Sequence, residues 1–134
     1  MKYMLDTNIC VYFFRGKFNL TEKLDRIGLN NCTISEITLA ELVFGAENSN
    51  NPQKNHKIIL NFSKIVTILP IYDSIYLYGK EKARLRKLGT MISDFDLLIG
   101  CTSVDKELIM VTENIREFER IAGIRIENWI DKNT

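Results

Sequence analysis

Histidine and paired cysteines are scarce in this 134-residue sequence. There is one histidine, His56, and the three cysteines, Cys10, Cys32 and Cys101, are widely spaced and form no C-x-x-C pair. These counts argue against a zinc site, a disulfide framework and a Ser-His-Asp triad. They favour a reduced, cytoplasmic compartment with the cysteines as small buried residues. An enzyme built from this sequence would most simply work with carboxylates.

Long apolar runs and an excess of one charge are also missing. The longest apolar stretch, residues 9–14, is far shorter than the roughly 18–20 residues of a membrane helix, and Asp6 interrupts the N-terminus before a secretory signal can develop. The formal charge is only +1, which excludes binding of nucleic acid by bulk charge but not a local basic patch. With 46% hydrophobic residues, we expect one folded domain over residues 1–134.

Short apolar segments alternate with helical patterns along the chain. Strands are predicted at residues 2–5, 31–34, 66–69 and 108–111, with a further extended piece at 125–130. Helices are predicted at residues 9–14, around 20–27, from 36 to about 45, at 52–64, from about 74 to 88, from about 94 to 104, and at 116–121. Because the strands are apolar on both faces, they predict an α/β fold with a parallel sheet covered by helices on both sides.

Polar residues suited to N-caps precede several of these helices. They are the Asp6-Thr7-Asn8 trio, Ser35, Asp73 or Ser74, and Ser93 or Asp94. Gly89 is expected to end the helix that reaches residue 88. In the helix after Ser35, the buried face is predicted to consist of Ile37, Ala40 and Phe44, with Leu42 to one side.

Three carboxylates fall near the carboxyl ends of predicted strands, where parallel sheets place their ligand sites. Asp6 follows the first strand directly, and Glu41 lies about two turns into the helix after Ser35. Asp96 is flanked by bulky apolar residues, where a carboxylate is costly unless it is paired or bound to a metal. Simpler roles are a helix cap for Asp6 or Asp94 and a solvent-facing position for Glu41.

Carboxylates that converge on one point repel each other, and a hard divalent cation relieves that repulsion. Mg²⁺ and Mn²⁺ prefer oxygen ligands of this kind. Such an ion can ionise a water molecule and neutralise charge on a phosphoryl oxygen.

Four motifs, in this order, resemble those of the PIN-domain VapC toxins. They are LDTN at residues 5–8, TLAEL at 38–42, DLLIG at 96–100, and VTEN at 111–114 followed by EF at 117–118. The ending up to Trp129 is similar to the enteric-type branch of that family. The resemblance implies a three-layer α/β/α PIN-like domain with a central parallel sheet. It also implies a Mg²⁺-dependent endoribonuclease, the toxin half of a toxin–antitoxin pair.

The resemblance also implies roles for individual residues. Asp6, Glu41 and Asp96 match the three core acidic positions that bind the metal. Asn114 stands where many members have Asp, and Glu117 is the substitute expected as the fourth acid. The supporting residues would be Thr7, Thr38, Asp94, Thr112 and Asn114.

The partners implied by the resemblance are a second copy of the chain, a VapB-like antitoxin and an RNA substrate. Better-studied relatives of this branch cut initiator tRNA in the anticodon stem-loop, and the toxin–antitoxin complex binds operator DNA. A basic patch for RNA phosphates is expected at Lys80, Lys82, Arg84, Arg86 and Lys87, which otherwise form a solvated helix face. The aromatic residues Tyr12, Phe13, Phe14 and Phe18 belong either to the core or to a groove for a partner helix.

Two other functions remain open from the sequence. A phosphotransfer enzyme with an aspartate nucleophile would need a second Asp two residues after Asp6, but Asn8 occupies that position. A catalytically silent α/β module that binds RNA or protein would share the fold, although it has no need for three core acids.

Overall fold

A five-stranded, fully parallel sheet organises the computed structural model, which describes residues 1–133. The strands are β1 (Tyr3–Leu5), β2 (Cys32–Ser35), β3 (Thr67–Leu69), β4 (Ile109–Val111) and β5 (Arg125–Glu127). Their spatial order is β3-β2-β1-β4-β5. Because β1 lies in the centre, its carboxyl end is flanked by the ends of β2 and β4. The predicted parallel sheet is confirmed.

Within residues 1–133, seven α-helices connect the strands. They are α1 (Thr7–Phe14), α2 (Leu20–Ile27), α3 (Glu36–Glu47), α4 (Pro52–Ser63), α5 (Ile75–Leu88), α6 (Asp94–Asp105) and α7 (Ile115–Phe118). Short 3₁₀ turns precede β2 and α5. None of the helices in this part of the chain is long and apolar enough to cross a membrane.

Consecutive strand residues alternate between two hydrophobic cores, one on each face of the sheet. Leu5 and Val111 belong to the core that includes residues of α1, α2, α3 and α4. Met4 and Met110 belong to the core that includes residues of α5, α6 and α7. This confirms the three-layer α/β/α architecture. The three cysteines are free and buried in these cores, as predicted.

The helix caps follow the sequence prediction at several positions. The Asp6 carboxylate accepts the Thr7 N–H at 2.8 Å, and the Ser35 hydroxyl accepts the Ile37 N–H at 3.1 Å. Because Asp6 itself is the cap, α1 begins at Thr7 rather than at residue 9. Gly89 ends α5 with a φ of +71°, a conformation that favours glycine.

One of the two residues predicted to cap α6 is confirmed, and neither of the two predicted for α5 is. Ser93 caps α6 by accepting the Asp96 N–H, and Asp94 is the first helical residue. Neither Asp73 nor Ser74 caps α5 through its side chain, since the Asp73 carboxylate binds the Lys106 ammonium at 2.7 Å instead.

The predicted buried face of α3 is also wrong. The structure buries Thr38, Leu42 and Ala46, whereas Ala40 is exposed and Phe44 is 70% exposed. The helix is apolar around most of its circumference, so periodicity could not distinguish the side that packs on the sheet. The side that does pack is the one next to Glu41, which is half-buried.

The last helix, α7, is shorter than predicted. It ends at Phe118 instead of residue 121, and Asn114 occupies the N-cap position without a capping hydrogen bond from its side chain. Phe118, the last residue of α7, and Ile121, which follows the helix, are buried against Gly100 of α6. The segment that follows α7 is therefore held by tertiary packing and not by helix formation.

We expect Gly100→Ala to destabilise the protein by about 1–3 kcal/mol, because its new methyl group would collide with the Ile121 side chain. Thermal or urea unfolding would measure the change. Gly79→Ala in α5 is the matched control, since nothing lies within 4 Å of its added methyl group. That control should gain up to about 1 kcal/mol from helix propensity.

Ile121→Val identifies the contact, because it removes the methyl group that meets Gly100. In the wild-type background it should cost about 1 kcal/mol. In the Gly100→Ala background it should cost nothing or restore stability. Simple addition of the two single costs would contradict this packing.

Candidate active site

Asp6 lies at the carboxyl end of the central strand and is 4% exposed. Its Oδ1 accepts the Thr7 N–H, and its Oδ2 accepts the Thr112 hydroxyl at 2.7 Å and the Asn8 amide at 3.2 Å. Burial raises the pKa of Asp6 to about 6 despite these hydrogen bonds, and the charges of Asp96 and Glu41 contribute to the rise. Asp6 therefore caps α1 and also belongs to a group of mutually repelling carboxylates.

Glu41 is joined to the end of β1 through a threonine. The Thr7 hydroxyl donates to Glu41 Oε1 at 2.7 Å and lies 3.4 Å from the Thr38 hydroxyl. Glu41 and Thr38 are three residues apart on α3, so both face the start of α1. Two of the three predicted supporting threonines, Thr7 and Thr38, thus lie beside Glu41.

Asp96 is half-buried in the first turn of α6, a lower burial than its apolar neighbours suggested, because Phe95 beside it is 53% exposed. Desolvation raises the pKa of Asp96, and the charges of Glu41 and Glu117 raise it further. Asp96 therefore lies within electrostatic range of both side chains. The raised pKa of Asp96 shows that these acidic residues influence one another, not that they converge on one point.

Thr112 connects the end of β4 to the same site. Its hydroxyl donates to Asp6 Oδ2 and accepts the Asn114 N–H at 2.9 Å. This bond orders the turn that leads into α7, which carries the half-buried Glu117. The sequence also predicts that the Asn114 side chain caps this short helix. That prediction is wrong, because the Asn114 side chain makes no capping hydrogen bond.

The sequence predicts two features of Asn8: it is part of the cap of the first helix, and it stands where an aspartate-nucleophile enzyme would need a second Asp. Its Nδ2 donates to Asp6, while its Oδ1 is buried and accepts no hydrogen bond from the described residues. A buried acceptor without a donor is uncommon in folded proteins. Its place in the LDTN motif was the available sequence signal.

Several other predicted site residues are engaged elsewhere. Asp94 binds Lys82 at 2.8 Å and the Tyr78 hydroxyl at 2.9 Å, and these contacts lower the pKa of Asp94. Arg84 forms a bidentate pair with Glu81. The rest of the predicted basic patch is exposed on α5: Lys80, Arg86 and Lys87.

The acidic residues do not form a closed ligand shell. In the part of the chain that the structure describes, no group of three or more His, Cys, Asp or Glu side chains is arranged to hold a metal ion. The four carboxylates named from the sequence influence one another electrostatically without converging on a single point.

The raised pKa of Asp6 gives a pH dependence of known sign. The folded protein keeps this proton up to about pH 6, whereas the unfolded chain releases it near the ordinary value of 3.8. The Asp6 contribution to stability is therefore greatest at low pH and declines as the pH rises from about 4 to 6. The full loss of this contribution to the free energy of unfolding is about 3 kcal/mol.

Asp6→Asn should thus raise the melting temperature at pH 7 in EDTA, and the gain should vanish near pH 4. Asparagine keeps the cap, and a flip of the Asn8 amide, which now donates through Nδ2, would present its free Oδ1 to the new side-chain amide. Asp73→Asn, which removes an exposed ion pair, should show no such gain. A gain independent of pH, or none at pH 7, would contradict the assignment.

Comparisons with known proteins agree with this geometry. A sequence model of the PIN domain matches residues 3–124. The tRNA(fMet)-specific endonuclease VapC of Salmonella typhimurium is 35% identical over 130 residues, which are 96% of this chain and 98% of that protein. Ribonuclease VapC2 of Haemophilus influenzae is 39% identical over 133 residues, which are 97% of this chain and 99% of that protein.

Solved structures show the same relationship. The DNA-bound VapBC complex of Salmonella typhimurium contains a chain that matches with a TM-score of 0.87 and 35% identity, over 96% of this chain and 98% of that one. VapBC2 of Rickettsia felis, bound to a promoter DNA fragment, contains a chain that matches with a TM-score of 0.87 and 33% identity. The match covers 96% of this chain and 99% of that one. The acidic residues around β1 and these matches over nearly the whole length show that the chain belongs to the PIN-domain family, among the VapC ribonucleases.

Proposed function

We propose that this protein is an endoribonuclease, the toxin of a VapBC-type pair, and that it hydrolyses RNA phosphodiester bonds with Mg²⁺, for which Mn²⁺ can substitute. One observation carries the proposal. Asp6, Glu41 and Asp96 come from three separate elements, yet each lies within electrostatic range of another. Such repulsion destabilises the folded chain, and a bound cation relieves it.

The donor set fits a hard divalent cation. All the candidate ligands are carboxylate oxygens, and the buried Asn8 Oδ1 adds a neutral oxygen that lacks a donor. Mg²⁺ usually keeps several waters and binds proteins through one or two carboxylates, so a site of this kind does not need three direct ligands. We propose that Asp6 and Asp96 hold the ion directly, and that Glu41 and Glu117 complete the site.

The residues around these acids keep them oriented and ionised for this task. The Thr7 N–H and the Thr112 hydroxyl hold both oxygens of Asp6, and the Thr7 hydroxyl holds one oxygen of Glu41. With a pKa of about 6, Asp6 is mostly ionised at pH 7. The cation supplies neutralisation of charge on the phosphoryl group and acidification of water. One of the carboxylates orients or deprotonates the attacking water.

The exposed cations of α5 are the proposed contacts to RNA phosphates. Lys80, Arg86 and Lys87 remain in this role, which positions RNA without reading its sequence. Lys82 and Arg84 are not proposed as RNA contacts, because both already bind carboxylates. We propose a tRNA as substrate, since the relative in Salmonella typhimurium is named as a tRNA(fMet)-specific endonuclease.

A VapB-like antitoxin is the proposed protein partner. A groove of about 220 Å³ lies between α1, α3 and α4 and is lined by Val11, Phe14, Leu42 and Ile58 beside Glu41. An amphipathic segment can bury apolar side chains in such a groove and approach the site at its Glu41 end. We also propose that the toxin–antitoxin complex binds operator DNA, as the related complexes are bound to DNA.

We propose that the toxin is a homodimer that works in the cytoplasm. Large apolar side chains remain exposed on two elements, with Phe44 on α3 at 70% and Tyr76 on α5 at 92%. Contiguous exposed apolar patches mark protein interfaces, and we propose that Phe44 and Tyr76 belong to such a patch. A second copy of the chain would cover them.

Purified protein should cleave RNA with Mg²⁺ and should not cleave it in EDTA. Asp6→Asn and Asp96→Asn should keep the fold and lower the cleavage rate by a factor of at least about a hundred, because both residues are proposed direct ligands. Asp94→Asn, two residues from Asp96 but paired with Lys82, should cost far less. Gel analysis of a defined tRNA and of total RNA would measure this.

Either of two results would overturn this function. Near-wild-type cleavage by a folded Asp6→Asn or Asp96→Asn variant would remove the metal-ligand assignment. Binding of RNA without cleavage in any metal would favour the catalytically silent module.

Glu117→Gln should weaken Mg²⁺ or Mn²⁺ binding and slow cleavage, but less than Asp6→Asn does, because the longer Glu117 side chain is proposed to act through a metal-bound water. Asn114→Asp should be tolerated and should tighten metal binding by adding charge. Calorimetric titration with the metal alone would measure both effects. Wild-type affinity and rate in Glu117→Gln would remove Glu117 from the site.

A further inference from the structure

A buried carboxylate ties α5 to the segment that follows α7. Glu81 is 5% exposed, and its Oε1 accepts the Arg84 Nε at 2.9 Å. Its Oε2 accepts the Arg84 Nη2 at 2.8 Å and the Ala122 N–H at 3.1 Å. The same Arg84 Nη2 donates to the Arg120 carbonyl at 2.8 Å. Two side chains of α5 therefore hold two backbone groups of residues 120–122.

The same segment is seated on α6 by close packing. Phe118 and Ile121 are fully or almost fully buried, and both lie against Gly100, where a side chain would collide with Ile121. Gly100 is one helical turn beyond Asp96. The packing thus brings the end of α7 close to the helix that carries one of the proposed metal ligands.

Helix α7 has little means of holding its own position. It contains four residues, and its N-cap side chain makes no capping hydrogen bond. A helix of that length is unstable without tertiary contacts. The position of Glu117 therefore depends on the contacts that hold the residues immediately after it.

We propose that the Glu81–Arg84 pair is a positioning device for Glu117. By holding residues 120–122 from α5, the pair keeps α7 docked on α6 with the Glu117 carboxylate within range of Asp96. This inference rests on the proposed function, because it assigns the pair to the metal site in which Glu117 takes part. Glu81 and Arg84 act through Glu117 and touch neither metal nor substrate.

The chemistry of the pair suits positioning better than general stabilisation. The pair is only partly buried, because the Arg84 side chain is 40% exposed while the Glu81 side chain is 7% exposed. An ion pair with one exposed partner contributes little net stability, but its hydrogen bonds still demand one geometry. The two parallel bonds between guanidinium and carboxylate add directional specificity that a lysine cannot reproduce. Exchange for a near-isosteric residue should therefore shift the docked segment more than it lowers global stability.

A double-mutant cycle with metal affinity as its readout tests the proposal. The proteins are the wild type, Glu81→Gln, Glu117→Gln and the double variant, each titrated calorimetrically with Mn²⁺ and with Mg²⁺. Glu81→Gln should weaken binding by about tenfold, the lower end for residues that orient metal ligands. In the Glu117→Gln background the same exchange should have no further effect, because the residue through which it acts is already lost.

Two controls separate positioning from a loss of fold. Arg84→Lys keeps the positive charge but removes the two parallel hydrogen bonds of the guanidinium. If Glu81→Gln does not fold, Arg84→Lys should show the same loss of metal affinity and the same dependence on Glu117. Asp73→Asn removes a different ion pair, the exposed one with Lys106, and should leave metal affinity unchanged. Melting curves of each variant would report changes in global stability.

The outcomes distinguish the inference from the function on which it rests. Equal weakening by Glu81→Gln in both backgrounds, or wild-type affinity in both Glu81→Gln and Arg84→Lys, would overturn the positioning role while Glu117 stayed in the site. Wild-type affinity in Glu117→Gln would remove Glu117 from the metal site and the inference with it. Loss of affinity only when Glu117 is present would support the proposal.

Discussion

Burial of the Asp6 carboxylate at the end of the central strand is the constraint around which the site is arranged. A charged group with 4% exposure is unfavourable, and its pKa of about 6 measures how far its ionised form is disfavoured. Three donors, from Thr7, Asn8 and Thr112, offset part of that cost. They come from α1 and the end of β4, so the central position of β1 in the sheet is what makes them available.

The neighbouring acids increase the cost instead of relieving it. Glu41 and Asp96 both raise the pKa of Asp6, and no cationic side chain of residues 1–133 contributes to lowering it. On α5, Lys82 and Arg84 are paired with Asp94 and Glu81. A fold selected for stability alone would place one of these cations among the three acids. The separation of charges is understandable if a metal ion is the missing cation, since stability is commonly sacrificed at functional sites.

Sequence patterns predicted the parts of this arrangement that depend on local structure. Strand ends, the Asp6 and Ser35 caps and the Gly89 stop are set by adjacent residues, and they located the acidic residues at the correct sheet edge. The buried face of α3 was not predictable because apolar residues surround that helix. The Glu81–Arg84 spacing of three residues is typical of a pair on one helix face. The contact of Glu81 with Ala122 was not predictable, because it joins residues 41 apart in the sequence.

The site therefore has two parts of unequal rigidity. Asp6 and Glu41 are linked through Thr7 and rest on β1, α1 and α3, elements with buried cores of their own. Glu117 is carried by a four-residue helix whose placement depends on Gly100, Phe118 and distant partners on α5. A substitution in those distant partners can move one carboxylate without disturbing the others. The proposed fourth acidic residue, Glu117, is consequently the part of the proposed site that can change with least effect on the rest.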